Sequence, residues 1–115
     1  MRDMKERTKQ FAIDCWKFCQ SIPQSREYNA FVRQLIRCSS SVGANWRASQ
    51  RPKSTADFIN KLKIVEEEAD ESMYWLEIFL EILPDQKAEI NKLHKEANEI
   101  VSIVVASINK TRNKK

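Results

Sequence analysis

Three prolines and a single glycine constrain the fold of this 115-residue chain more than any other feature. Pro23, Pro52 and Pro84 divide the chain into four segments, and Gly43 lies inside the second segment. A sheet of many strands needs more turn residues than these. Within the segments, apolar residues recur at three- and four-residue spacing among abundant Glu, Lys, Ala and Leu, which is typical of α-helices. The sequence therefore predicts an all-α fold.

The segment boundaries predict four helices in one domain that covers residues 1–115. Proline removes a backbone donor and disfavours helical backbone in the residue before it, so we expect one helix to end before Pro23 and another before Pro84. Ser25, Ser54 and Asp85 are residue types that cap helix N-termini. The predicted helices span about residues 4–21, 25–49, 55–83 and 85–109, and a basic tail follows at 110–115.

The cysteines and the hydropathy pattern predict a cytoplasmic protein without a membrane segment. Cys15 and Cys19 lie one helical turn apart on the apolar stripe of the first helix, and Cys38 lies on that of the second. An odd number of cysteines on apolar faces indicates small core residues in a reducing compartment. No apolar run approaches the roughly 18 residues needed to cross a bilayer, and the charged N-terminal residues lack the apolar core of a signal peptide.

Gly43 lies in the interior of the second predicted helix rather than in a turn. A glycine there costs roughly 1 kcal/mol of helix propensity relative to alanine. Small residues surround it, namely Ser39, Ser40, Ser41 and Ala44. We therefore expect another part of the backbone to approach this helix closely.

The outer face of the second helix carries a row of arginines without a lysine. They are Arg26, Arg33, Arg37, Arg47 and Arg51, and they cluster within roughly 80° of the helix circumference. Residues 1–53 carry eleven Lys and Arg against four Asp and Glu, whereas residues 54–115 carry nine against twelve. Three interpretations remain open: a solvated face, neutralisation between the halves within one bundle, or a binding or subunit surface.

The third helix carries more apolar surface than a single buried stripe requires. Its core stripe runs from Phe58 to Leu83, and the same helix carries an acidic block, which we interpret as a solvated or intersubunit face. The block comprises Glu66, Glu67, Glu68, Asp70 and Glu71. A second apolar set lies about 100° from the core stripe, and an interface between subunits is its simplest use because aromatic residues are enriched there. The set comprises Ile64, Trp75, Ile78, Phe79 and Ile82.

The sequence offers little that supports catalysis or cofactor binding. His94 is the only histidine and has no catalytic partner nearby in the sequence. Cys-x-x-Cys and His-x-x-x-His motifs are absent, no Glu stands three residues before His94, and one glycine excludes a glycine-rich phosphate loop. We therefore expect no enzyme activity, no cofactor and no metal site.

Three stretches in the centre of the chain resemble a known bacterial family. They are residues 41–48 (SVGANWRA), 53–62 (KSTADFINKL) and 64–77 (IVEEEADESMYWLE). In this order they resemble the four-helix-bundle proteins of the 23S rRNA intervening-sequence family. The resemblance implies an antiparallel up-down four-helix bundle that assembles into a ring, commonly a homopentamer. Some members are encoded within insertions in rRNA genes. A related branch, the accessory variability proteins of diversity-generating retroelements, binds a reverse transcriptase and nucleic acid through a basic surface.

The arginine row and the resemblance together favour an oligomer that binds structured RNA or another nucleic acid. The row has no aromatic platform on which a base could stack, so we expect recognition of phosphates and shape. The predicted contact residues are Arg33, Arg37, Arg47, Arg51 and Lys53, assisted by Lys110, Arg112, Lys114 and Lys115.

The alternative function is a protein-interaction scaffold. In that interpretation the arginines meet carboxylates such as Glu67 and Glu71 of a neighbouring subunit, or of a protein partner such as a reverse transcriptase.

Overall fold

The computed structural model describes residues 3–114, and this part of the chain is an elongated four-helix bundle of 50 × 22 × 21 Å. Helix α1 spans Met4–Gln20, α2 spans Arg26–Ser49, α3 spans Thr55–Ile82 and α4 spans Lys87–Arg112. Each helix packs against the next, and α4 closes the bundle against α1. The prediction of an all-α four-helix bundle is confirmed.

Serine side chains cap the N-termini of two helices, as the sequence predicts. Ser25 Oγ accepts a hydrogen bond of 3.0 Å from the Tyr28 amide at the start of α2. Ser54 Oγ accepts one of the same length from the Asp57 amide at the start of α3. These bonds satisfy backbone N–H groups that have no partner within the helix, and they fix where α2 and α3 begin.

Both predicted ends of the fourth helix are wrong. Pro84–Gln86 forms a single 3-10 turn, and α4 begins at Lys87 without a side-chain cap, so Asp85 does not cap it. At the other end, α4 continues through Arg112 because the buried Ile108 still packs against the core there. Residues 110–112 are therefore helical rather than a tail, and Lys115 lies outside the described residues.

The core is continuous along the bundle and contains all three cysteines. Cys15, Cys19 and Cys38 are free thiols, and each is buried. Burial raises the pKa of Cys19 and of Cys38 to about 11, because a thiolate is poorly solvated there. The thiols therefore stay protonated at neutral pH and act as small apolar core residues, as predicted.

Gly43 is where α1 and α2 approach closely. A methyl group at this position would lie 3.2 Å from Thr8 Oγ1, although the glycine has ordinary helical backbone angles. Thr8 is fully buried, and its hydroxyl donates a 2.7 Å hydrogen bond to the Met4 carbonyl. A side chain at this position would crowd Thr8, so the glycine suits the close packing of α1 on α2, which confirms the prediction of a close contact.

Phe79 was predicted to lie on the second apolar face of α3, and that prediction is wrong. Phe79 is fully buried and packs edge-on against Phe18 and Phe31, with ring centroids 5.6 and 6.3 Å away. Because α2 and α4 both pack against α3, the buried arc of α3 is wide enough to include Phe79. Trp75 is half-buried and stacks beside Phe31 at 5.6 Å. The remaining members of the set, Ile64, Ile78 and Ile82, are exposed or half-buried.

Candidate nucleic-acid interface

The arginine row of α2 divides into members with different surroundings. Arg33, Arg37 and Arg47 are all exposed on α2, and Arg51 follows its C-terminal end. Arg33 lies fourteen residues before Arg47, a distance of roughly 21 Å along a helix. The row is therefore too long to form one compact site, and the neighbours of each arginine decide its role.

Arg37 is an ion-paired residue of the α2–α3 contact. Its Nη1 lies 3.2 Å from Glu68 Oε2, and its Nη2 binds the Glu71 carboxylate. Glu71 also accepts a 3.0 Å hydrogen bond from Trp75 Nε1. The bond from Trp75 and the Arg37 guanidinium lower the pKa of Glu71. Here a cation of the basic first half of the chain is paired with carboxylates of the acidic second half. Glu71 is therefore already paired within its own chain rather than with a neighbouring subunit.

A second internal network joins α1 to α4. Arg7 Nε lies 2.6 Å from Glu96 Oε2, and Arg7 Nη2 lies 2.5 Å from Glu99 Oε1. Between α3 and α4, His94 Nε2 lies 2.8 Å from Glu77 Oε2. The Arg7 contacts use charges to hold α1 and α4 together, so Arg7 is not free for an external ligand.

Arg47 and Arg51 instead line grooves with the first turns of α1. One groove is formed by Lys5, Trp46, Arg47 and Arg51 together with Asp3, Ala48 and Gln50. A second groove shares Lys5 and Arg47 and continues between α1 and α2, over a floor of small residues. It is lined by Lys9, Ala12, Ser40, Gly43 and Ala44 together with Glu6 and Thr8. This groove thus combines small side chains with three cations, Lys5, Lys9 and Arg47, and one acid, Glu6.

Further basic residues gather at the same end of the bundle, where α2 leads into α3 and α4 ends. Lys53 borders a groove with Phe58 and Thr111, and Arg112 and Lys114 border an adjoining groove with Phe58 and Thr55. Lys110 lies in the last turn of α4. We call this region the basic end and define it as Lys5, Arg47, Arg51, Lys53, Lys110, Arg112 and Lys114.

The side chains of the basic end differ from Arg7 and Arg37 in their pairing. Within residues 3–114, none of the side chains of the basic end takes part in an ion pair. Of the nearby acids, Asp57 pairs with Lys61 at 2.8 Å, Asp3 Oδ1 accepts from the Glu6 amide at 2.9 Å, and Glu6 lines the second groove beside Lys5 and Arg47. Lys61 and the Lys53 amide lower the pKa of Asp57. The C-terminal ends of α2 and α4 stabilise cations nearby, which favours positive charge here without any ligand.

The structure thus brings together some of the predicted contact residues and separates others. Arg47, Arg51 and Lys53 lie at the basic end, whereas Arg33 and Arg37 lie on the middle of the bundle. Sequence reasoning missed the contribution of Lys5 and Lys9 from α1. Their four-residue spacing places them on one helix face, but only the packing of α1 on α2 reveals that this face borders Arg47.

The exposed apolar residues of α3 form a separate surface. Ile64 is 39% exposed, Ile82 is 41% exposed and Tyr74 is 55% exposed, while Ile78 between them is half-buried.

Among residues 3–114, no helix is long and apolar enough to cross a membrane. In the same part of the chain, His, Cys, Asp and Glu do not form a group of three that could hold a metal ion.

Comparisons with known proteins agree with the fold. Residues 2–106 match the model of a protein family described as 23S rRNA-intervening sequence protein. A crystal structure of a protein with unknown function from the S23 ribosomal protein family of Bacteroides thetaiotaomicron superposes with a TM-score of 0.83. The two sequences are 28% identical, and the match covers 90% of this chain and 96% of the other. No curated protein matches the sequence.

Proposed function

The chain belongs to the family of 23S rRNA-intervening sequence proteins, and from that premise we propose that it is a non-enzymatic, self-associating bundle that binds structured RNA. The observation that supports this proposal is the basic end, where cations from α1, α2, the α2–α3 connection and α4 gather without ion-pair partners in the described chain. Other charges of the bundle, such as Arg7 and Arg37, are paired internally.

Unpaired cations in this arrangement suit a phosphate backbone. A polyanion that contacts Lys and Arg releases its condensed counterions, and this release drives association at moderate salt. The planar guanidinium groups of Arg47 and Arg51 present paired donors that match phosphate oxygens, and guanidinium is more weakly hydrated than an ammonium group. Binding through these groups reads phosphate positions rather than base sequence.

Self-association would strengthen this binding, and we propose that it uses the exposed apolar surface of α3. Ile64, Ile78 and Ile82 lie along one side of that helix, flanked by Trp75. Burying this surface against a second copy would remove apolar area from water. The family resemblance implies a ring, commonly a homopentamer. Several basic ends in one assembly would bind one long RNA with higher avidity than a single copy.

A protein-interaction scaffold remains a second candidate function, with a partner such as a reverse transcriptase. Trp16 favours it, because this side chain is 51% exposed on α1 and lies away from both the basic end and the α3 surface. Exposed aromatic residues of this kind are enriched at protein–protein interfaces. The buried free thiols of Cys15 and Cys38 suit the reducing cytoplasm, which we propose as the site of either function.

A titration of the purified protein with structured RNA and with duplex DNA, at low and at physiological salt, tests the proposal. Solution mass is recorded in parallel to give the oligomeric state. RNA binding whose logarithm falls linearly with the logarithm of salt concentration would support the proposal. If RNA fails to bind even at low salt, the proposal is wrong and the scaffold function is the better account.

A further inference from the structure

Trp46 places an aromatic ring within the basic groove, at a position where the arginine row was expected to lack a stacking platform. Its side chain is half-buried and packs partly against the core. The same residue lines the groove formed with Lys5, Arg47 and Arg51. This groove therefore combines an aromatic residue with three cations, whereas a solvated arginine face would offer cations alone.

The other two tryptophans of the chain have different environments. Trp75 stacks against Phe31 and donates its indole N–H to Glu71, so both its ring and its N–H are occupied. Trp16 is exposed on α1 at a distance of several turns from the basic end. Among residues 3–114, nothing accepts a hydrogen bond from the Trp46 indole N–H, and no buried side-chain N or O atom lacks a partner. Within the described residues, the Trp46 N–H is therefore left without an acceptor.

The remaining groove residues favour a nucleoside over a phosphate directly at Trp46. Asp3 lines this groove, and its carboxylate would repel a phosphate placed against it. The same carboxylate can accept hydrogen bonds from a base amino group or a ribose hydroxyl, because only one of its oxygens accepts from the Glu6 amide. Lys5 borders the groove from α1 and Arg51 borders it from the end of α2, so a nucleotide bound there would find a cation on each of the two elements.

We infer that the groove at Trp46 is a subsite for an unpaired nucleotide of RNA. The base contacts the Trp46 ring, and the phosphates on its two sides contact Arg51 and Lys5. The strand then continues over Gly43 and Ala44 in the adjoining groove, which shares Lys5 and Arg47 with the first. This inference rests on the proposed RNA binding and specifies it, because bases within a duplex are stacked and cannot reach the ring.

A pair of RNA ligands distinguishes this subsite from phosphate binding alone. One is a hairpin with an unpaired single-stranded tail, and the other is a blunt hairpin with the same number of nucleotides, capped by the same short loop. We expect the wild-type protein to bind the tailed hairpin more tightly. Trp46→Leu should weaken binding to the tailed hairpin by about 5- to 150-fold, the range for loss of one base–aromatic stack. The blunt hairpin should bind both proteins alike, and the control Trp16→Leu should leave both affinities unchanged.

A fluorescence measurement keeps the test valid if Trp46→Leu folds poorly. In a Trp16→Phe/Trp75→Phe protein, all tryptophan emission comes from Trp46. We expect the tailed hairpin to quench this emission and the blunt hairpin to leave it nearly unchanged. Equal affinity for the two hairpins, with no quenching, would overturn the subsite while leaving RNA binding intact. If neither hairpin binds at low salt, the proposed function itself is wrong.

Discussion

Arg37 and Glu68 form an ion pair across the α2–α3 contact, with 3.2 Å between Arg37 Nη1 and Glu68 Oε2. The adjacent Glu71 binds the second amino group of the same guanidinium. This relationship removes Arg37 from the set of unpaired cations, although on the helix circumference it belongs to the same row as Arg47. The arginine row of α2 therefore contains both paired and unpaired members.

Replacing Arg37 should lower stability and leave RNA affinity unchanged. Arg37→Gln removes an ion pair in which the arginine side chain is half-exposed, so the expected loss in the free energy of unfolding is about 0.5 to 1 kcal/mol. Urea denaturation of the two proteins measures it. Arg33→Gln is the matched control, since Arg33 is exposed on the same helix and pairs with no acid of the described chain. A large loss of RNA affinity with unchanged stability would place Arg37 at the RNA interface.

The same network should make stability depend on acid pH. The hydrogen bond from Trp75 and the charge of Arg37 lower the pKa of Glu71 in the folded state. Its contribution to stability is therefore complete above its unfolded-state pKa and is lost as pH falls through the folded-state pKa. The difference in unfolding free energy between wild type and Glu71→Gln should shrink on acidification from about pH 7 to about pH 3. A difference that stays constant over this range would show that the Glu71 charge is not stabilised by folding.

The effect of Gly43→Ala on stability should depend on the residue at position 8. Gly43→Ala gains roughly 1 kcal/mol of helix propensity, but its methyl group would lie 3.2 Å from Thr8 Oγ1, which is held by its bond to the Met4 carbonyl. We expect the single substitution to destabilise the protein. In a Thr8→Ala background the same substitution should stabilise it, and thermal unfolding of the four proteins measures the coupling. Equal effects in both backgrounds would show that the Thr8 contact does not select glycine.

The exposed surface of α3 and the buried Phe79 should behave differently on substitution. Ile82→Glu should lower the solution mass with little change in monomer stability, because Ile82 is 41% exposed in the single chain. Phe79→Ala should cost about 3 to 5 kcal/mol of stability, as expected for a large buried side chain. Light scattering and urea denaturation separate the two effects. Ile103→Glu on α4 is the matched control, since Ile103 is 38% exposed elsewhere. If Ile82→Glu and Ile103→Glu have the same mass as wild type, this surface is not the interface.

The sequence sufficed for the features that depend on local physical chemistry. The serine caps at Ser25 and Ser54 need only a hydroxyl at the right spacing from an apolar run. The buried stripes follow from the helical period, and the packing role of Gly43 follows from the cost of glycine in a helix. The match of residues 2–106 to one family agrees with this reading of the fold.

The candidate site was harder to predict, because it depends on which helices become neighbours. A helical wheel gives the direction of each side chain but not the residue opposite it, so Arg37 and Arg47 looked equivalent. Packing directs Arg37 to the carboxylates of α3 and places Arg47 beside Lys5 of α1. For the same reason Phe79 was assigned to the surface, and the groove beside Trp46 was not anticipated.

The salt dependence of RNA binding by the Arg47→Gln/Arg51→Gln protein tests the central claim most directly. Each lost phosphate contact should reduce the slope of log affinity against log salt by about 0.7 to 0.9, so the double variant should lose about 1.4 to 1.8 units of slope and bind more weakly. The matched control is Arg26→Gln, an exposed arginine at the opposite end of α2. We predict an unchanged slope for the control and a shallower one for the double variant. An unchanged slope for both would contradict the account and remove the basic end from RNA binding.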